Sequence, residues 1–235
     1  MLAPEPLRQM RLAIERLRAE GWPSVFTYIY DEFWLVSRTP SLLGLLSGFL
    51  GNGCRQNSLV WTFYIPPTRG AQGWEPHSDS GGDKSRLTVW IPLTNATLEN
   101  GCMYVIPRDR LPENLRGEYR KLGDVTKAQL GWLLQSTRAL PSPAGAYLGW
   151  NHELIHWGSV STGTEDPRIS TAMEFLGSDV VPREDELPLF DPLAPPPPFG
   201  ERLRTIGKGL LAYKKNEPSK ARYAELGRVL TGVTP

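Results

Sequence analysis

The chain has 235 residues, with 26 Lys/Arg against 25 Asp/Glu and a formal net charge of +1, so no global charge draws it to nucleic acid or to an anionic membrane. Its length suits one compact domain, 1–235, with a substantial core. Twenty-two Pro and 23 Gly imply many turns and short strands, and the two cysteines, Cys54 and Cys102, form no CxxC pair, which argues against a disulfide framework or a zinc ribbon.

In chain order, residues 1–22 carry acids and bases throughout and no apolar run, so they are not expected to be a signal peptide. Leu7, Met10, Ile14 and Leu17 share one face at helical spacing, with Pro6 suited to the first turn and Gly21 to the stop. Residues 26–36 mix aromatic and β-branched side chains without a period. A second short helix is expected over 40–50, weakened by Gly44 and Gly48. Its apolar part is far below the ~20 residues of a membrane span, so no membrane partner is expected and a cytoplasmic location is.

From Ser58 the character changes. SLVWTFYIP (58–66), RLTVWIPLTNA (86–96) and CMYVIP (102–107) read as strands, and Asn100-Gly101 between the last two reads as a hairpin turn. A polar excursion over 108–143 holds one expected helix, with Thr126 and Gln129 at capping-box spacing ahead of Leu130, Leu133 and Leu134. Strand character returns over 144–157 and 168–176. DPLAPPPPFG (191–200) is a polyproline-like spacer, and 201–235 carry eight Lys/Arg against three Glu in a helical-looking tail. That order predicts a helical region over 1–57, a β core over 58–190 with a helical insert at 108–143, and a spacer with a basic tail over 191–235. The fold class is therefore mainly β with helical decoration, best matched by a jelly roll. The tail is expected to cap a pocket, support a dimer, attract an anion, or form a solvated helix.

The chain has three histidines. His77 and Asp79 form His-x-Asp in GWEPHSDSGG; in extended backbone their side chains point to one face from Cα atoms roughly 7 Å apart. Such a pair alone also fits a surface histidine beside a turn aspartate. His156 lies in β-rich sequence about 80 residues later, and Arg168 and Ser170 follow. Two histidines and a carboxylate on one face of an octahedral iron(II) leave three positions open, two for a chelating 2-oxo acid and one for O2. The distal carboxylate of such a co-substrate needs a cation, and arginine grips a carboxylate bidentately; Ser170, two positions on, shares the strand face of Arg168.

From Trp74 to Phe175 the sequence resembles the phytanoyl-CoA dioxygenase family of iron(II)/2-oxoglutarate oxygenases, through HSD at 77–79, TVWIPLT, ENGCMYVIP and HWGSVSTGTEDPRIS. The resemblance implies a double-stranded β-helix core, with iron on His77, Asp79 and His156. It implies 2-oxoglutarate on Arg168 and Ser170, with Trp90 and Thr88 of TVWIPLT beside it. It further implies hydroxylation of a C–H bond in a small-molecule substrate, an acyl-CoA or another compound, with release of succinate and carbon dioxide. Asp79 stands where related halogenases have a small residue, which favours hydroxylation. The family pattern usually continues the proline of ENGCMYVIP with Gly-Ser-His; here Arg108-Asp109-Arg110 follows. Trp61, Phe63, Tyr64, Trp74 and Trp132 are candidate pocket residues, although core packing is the favoured role for each one singly. The protein is expected to be a monomer or a homodimer.

Residues 152–156 read His-Glu-Leu-Ile-His, the zinc-peptidase pattern, in which a helix brings two histidines to one ion and the glutamate acts as base. The flanking glycines and aromatics favour a strand, where the two histidines would stand roughly 13 Å apart. His152 also competes with His156 as the third iron ligand; the spacing to Arg168 and the HWGS block favour His156, leaving His152 near the pocket mouth or on the surface. A non-catalytic jelly-roll binding protein is a third possibility, whose signature would be loss of His77, Asp79, His156 or Arg168.

Overall fold

The structure is a computed structural model that describes residues 1–79, 83–111, 127–163, 166–186, 188–213 and 218–232. The chain divides into two compact units, one of residues 1–62 with 171–235 and one of 63–170.

The first unit is mostly helical. Helix α1 (Pro4–Ala19) begins on proline, whose missing N–H has no helical partner to lose, and buries Met10, Ala13, Ile14 and Leu17. It stops ahead of Gly21, whose φ of 73° reverses the chain. Two short 3-10 turns, Ser24–Ile29 and Val36–Arg38, flank α2 (Glu32–Leu35), and α3 (Pro40–Leu50) buries Leu42 and Leu46. Trp34 stacks on Tyr28 with ring centroids 4.2 Å apart and meets Phe190 edge-on, so this tryptophan fills core. The proline spacer is tied down by Arg38, which donates to the carbonyls of Asp191, Ala194 and Pro195. The tail is not a solvated helix: α5 (Phe199–Tyr213) buries Ile206 and Leu210, and it crosses α6 (Ala224–Thr231) where Gly207 meets the Gly227 carbonyl. No single helix among the described residues is long and apolar enough to cross a membrane.

The strands form two sheets. One has four strands in the order β1 (Arg55–Ile65), β7 (Arg168–Leu176), β2 (Arg86–Pro92), β5 (Leu148–Asn151), and the other three in the order β4 (Arg138–Leu140), β3 (Met103–Ile106), β6 (Ile155–Gly158). The pairings β2–β5, β3–β4 and β3–β6 are antiparallel. The fold is thus mainly β with helices, as expected of a jelly-roll core. The helix of the insert is present as α4 (Lys127–Ser136), while Thr126 lies outside the described residues. In the second unit Ile106, Leu111, Leu133 and Ile155 form a buried cluster with Trp157 against it.

One expectation fails. Asn100-Gly101 makes a turn but not a hairpin, because β2 pairs with β5 while β3 pairs with β4 and β6 in the other sheet. The turn is a crossover between sheets. The Asn100 side chain bridges it, accepting from the Thr97 N–H and donating to the Asn95 carbonyl. Gly101 has φ 89°, and a Cβ there would fall 2.3 Å from the Ser159 carbonyl oxygen, so only glycine fits.

Candidate metal centre

All of the candidate site lies within the second unit. His77 and His156 face each other across an isolated antiparallel bridge: each backbone N–H donates to the other's carbonyl, at 3.1 and 2.9 Å. That exchange fixes the two backbones before any side chain is considered. Both rings are then oriented the same way. His77 Nδ1 lies 2.7 Å from the Glu75 carbonyl and His156 Nδ1 3.0 Å from that of Leu154, each two residues back. A carbonyl can only accept, so each Nδ1 carries a proton, which leaves Nε2 as the nitrogen that faces Asp79 and is available to a metal.

The Asp79 carboxylate completes the cluster. Its Oδ1 lies 3.6 Å from His77 Nε2 and 3.8 Å from His156 Nε2, and the three groups offer ligand atoms all within 4.8 Å of one another. Its Oδ2 accepts from the Thr88 hydroxyl at 2.8 Å and from the Trp150 indole N–H at 3.2 Å. Burial works to raise the Asp79 pKa, but the His77 hydrogen bond, the neighbouring histidines and the Thr88 hydroxyl outweigh it, so the carboxyl lies well below the ordinary range. It is an anion at neutral pH. His156 is pushed down by burial and stays neutral. Around them the rings of Trp150 and His77 each stand 4.5 Å from that of His156, Trp74 lies 5.4 Å from His77, and Phe63 meets Trp74 edge-on.

Arg168 is 2% exposed, and no carboxylate pairs with it among the described residues. Its Nε has no hydrogen-bond partner, and its Nη1 makes only a long 3.5 Å contact with Ser170 Oγ. The guanidinium lies over the Trp90 ring, 5.8 Å from the centroid. Two glycines leave it room: a Cβ at Gly158 would come within 2.7 Å of Nη2 and one at Gly73 within 3.0 Å. Gly158 follows His156 by two positions on β6, so the guanidinium sits on the histidine's face of the strand, about 7 Å along. Burial lowers the Arg168 pKa to about 10, which leaves it charged at neutral pH. A buried cation without an anion is unfavourable, and a carboxylate-bearing ligand would relieve it.

The structure therefore brings together His77, Asp79, His156, Thr88, Arg168, Ser170 and Trp90, the last three away from Asp79 and around the guanidinium. Thr88, expected beside the co-substrate, has its hydroxyl on Asp79. Of the pocket candidates, Trp74 lies against His77 and Phe63 against Trp74, Trp61 belongs to the other unit, and the Trp132 side chain lies outside the described residues. The His-Glu-Leu-Ile-His motif is not helical: β5 ends at Asn151, residues 152–154 turn, and β6 begins at Ile155. The peptidase arrangement needs one helical face for both histidines, so that alternative falls. Glu153 is instead ion-paired with Arg108.

His152 is fully buried, neither at a mouth nor on the surface, and its Nε2 lies 3.2 Å from Thr88 Oγ1. Burial pushes its pKa down to about 4 from 6.5. As pH falls below about 6.5 the unfolded chain takes up this proton and the folded chain resists until about 4. The metal-free protein should therefore lose about 3 kcal/mol across that window relative to a His152→Gln variant. Urea melts of both proteins from pH 7.5 to 4 measure the difference, and parallel curves would rule it out. Sequence reasoning missed Trp150 and the buried place of His152. The one available signal is that they stand two apart in the sequence.

The model of the phytanoyl-CoA dioxygenase family matches residues 7–170. No curated protein matches the chain in sequence. Among solved structures, the non-haem monooxygenase ThoJ is 17% identical with a TM-score of 0.63, covering 93% of this chain and 90% of its own. The carbocyclase SnoK from nogalamycin biosynthesis is 19% identical with a TM-score of 0.61, covering 76% and 78%. The epimerase SnoN, solved with Fe3+, alpha ketoglutarate and nogalamycin RO, is 18% identical with a TM-score of 0.58, covering 82% and 88%. At these identities the likeness is one of fold.

Proposed function

Because the chain belongs to the phytanoyl-CoA dioxygenase family, we propose that it is an iron(II)- and 2-oxoglutarate-dependent oxygenase that hydroxylates a C–H bond of a small organic substrate, releasing succinate and carbon dioxide. His77, Asp79 and His156 hold the iron, and Arg168 with Ser170 holds the distal carboxylate of 2-oxoglutarate. The observation that carries the reading is the conjunction of that triad with a buried guanidinium on the same face of β6 that no carboxylate among the described residues pairs with. A hydrolytic metal site needs the triad alone; a 2-oxo diacid needs both.

Bound there, iron(II) and 2-oxoglutarate supply the oxidising chemistry, in which dioxygen and loss of carbon dioxide drive removal of a substrate hydrogen. The protein's own part is geometric and electrostatic. His77 and His156 present Nε2 to the metal because their Nδ1 protons are held by carbonyls. Asp79 offers one ionised oxygen and fills the place that a halide would need, which supports hydroxylation over halogenation. Arg168 and Ser170 orient the co-substrate through its far carboxylate, and Trp90 packs beneath the guanidinium. Trp74 and Phe63 shield the His77 side from water. Epimerisation and ring closure, the activities named for SnoN and SnoK, start from the same hydrogen removal; hydroxylation is the outcome proposed here. The enzyme is placed in the cytoplasm, acting as a monomer or a homodimer.

Anaerobic titration of the protein with iron(II) and then 2-oxoglutarate tests this directly. A weak visible charge-transfer band should grow with the second addition. Folded, iron-loaded protein that shows no band would overturn the assignment.

A further inference from the structure

The outer oxygen of Asp79 has more structure around it than a metal ligand requires. Its two donors among the described residues, Thr88 and Trp150, are directly opposed in the β2–β5 register, so one cross-strand pair delivers both to the same carboxylate oxygen. A carboxylate oxygen has two lone pairs, and here both are taken. The Thr88 hydroxyl has one proton, and it points to Asp79. Its oxygen therefore accepts from His152, whose Nε2 stands 3.2 Å away and so carries the hydrogen. An indole N–H can only donate. Each group in the row can thus play one role: His152 gives to Thr88, Thr88 and Trp150 give to Oδ2, and Oδ1 alone is left facing the two histidines.

Resting on the iron assignment above, we propose that Trp150 and Thr88 are positioning residues that confine Asp79 to coordination through one oxygen. A carboxylate turned to bind through both oxygens would take one of the three open metal positions. The 2-oxo acid needs two of these and the oxidant the third, so one-oxygen binding keeps the site usable. His152, fully buried in the turn that follows β5, fixes the direction of the Thr88 hydroxyl and so belongs to the same layer.

The test uses cobalt(II) in place of iron, with the full chain, so that affinity and ligand-field absorption are read without turnover. Trp150→Phe and Thr88→Val should each weaken cobalt(II) binding about 10- to 100-fold, the range for lost outer partners of metal ligands, and alter the ligand-field spectrum. Thr88→Ser, which restores the hydroxyl, should bind within about threefold of the parent, whereas a merely structural threonine would not be rescued this way. Should Trp150→Phe fail to fold by circular dichroism, the Thr88→Val and Thr88→Ser pair decides. Wild-type affinity and spectrum in Thr88→Val, with binding lost in Asp79→Ala, would overturn the positioning role and leave the iron assignment standing. Unchanged binding in Asp79→Ala would overturn the assignment itself, and this proposal with it.

Discussion

Asp79→Ala is expected to reduce 2-oxoglutarate turnover, followed as succinate release, by more than about 1,000-fold, or at least about 4 kcal/mol of transition-state stabilisation. The carboxylate supplies the one anionic ligand of the cluster, and its removal leaves two neutral imidazoles to hold a dication. It also strands the Thr88 hydroxyl and the Trp150 N–H, which lose their shared acceptor. The contrasting variant is Glu153→Gln. Glu153 sits beside His152 in sequence but pairs with Arg108 and lies outside the cluster, so turnover should stay within about threefold of the parent. The reverse pattern, with Glu153 essential and Asp79 dispensable, would move the chemistry to the wrong side of His156 and end the proposal.

Arg168→Leu should separate stability from function. The guanidinium is buried with no carboxylate partner among the described residues, so an apolar side chain of similar reach should raise the stability of the ligand-free protein by about 1–4 kcal/mol. The same change should raise the KM for 2-oxoglutarate by about 100-fold, in line with the 2–5 kcal/mol that attends loss of one partner of a buried charge pair. Correspondingly, 2-oxoglutarate with a redox-inert metal should raise the melting temperature of the parent and not that of the variant. A variant that melts lower and keeps its KM would show Arg168 to be an ordinary structural arginine.

Much of this site was legible before any coordinates, for a definite reason. His77 and Asp79 are close in sequence, so their convergence needs only a local extended backbone. Arg168 and Ser170 are likewise a two-residue spacing on one strand. What joined the two pairs was a resemblance across the middle of the chain. The contacts that were not legible are all matters of register. Nothing in the sequence says that Thr88 stands opposite Trp150, or that His156 bridges His77, because strand pairing is set by the whole sheet. The same blindness turned Asn100-Gly101 into a hairpin. Turn chemistry predicts the reversal at Gly101, but which sheet receives the next strand depends on partners 33 to 55 residues further on. The choice of His156 as ligand leaves His152 near the pocket mouth or on the surface by elimination alone; in the structure it is buried in the turn after β5, against Thr88 of β2.

The bridge between His77 and His156 makes the segment between them a closed ring of chain, and the clasp of that ring is the pair of would-be ligands themselves. Opening the ring breaks two backbone hydrogen bonds and separates the two imidazoles. Conversely, an ion held between the two rings resists the entropy of a loop some 80 residues long, a term that grows only slowly with length but is large once for the whole ring. Metal binding at this site is therefore expected to stabilise closure of the ring.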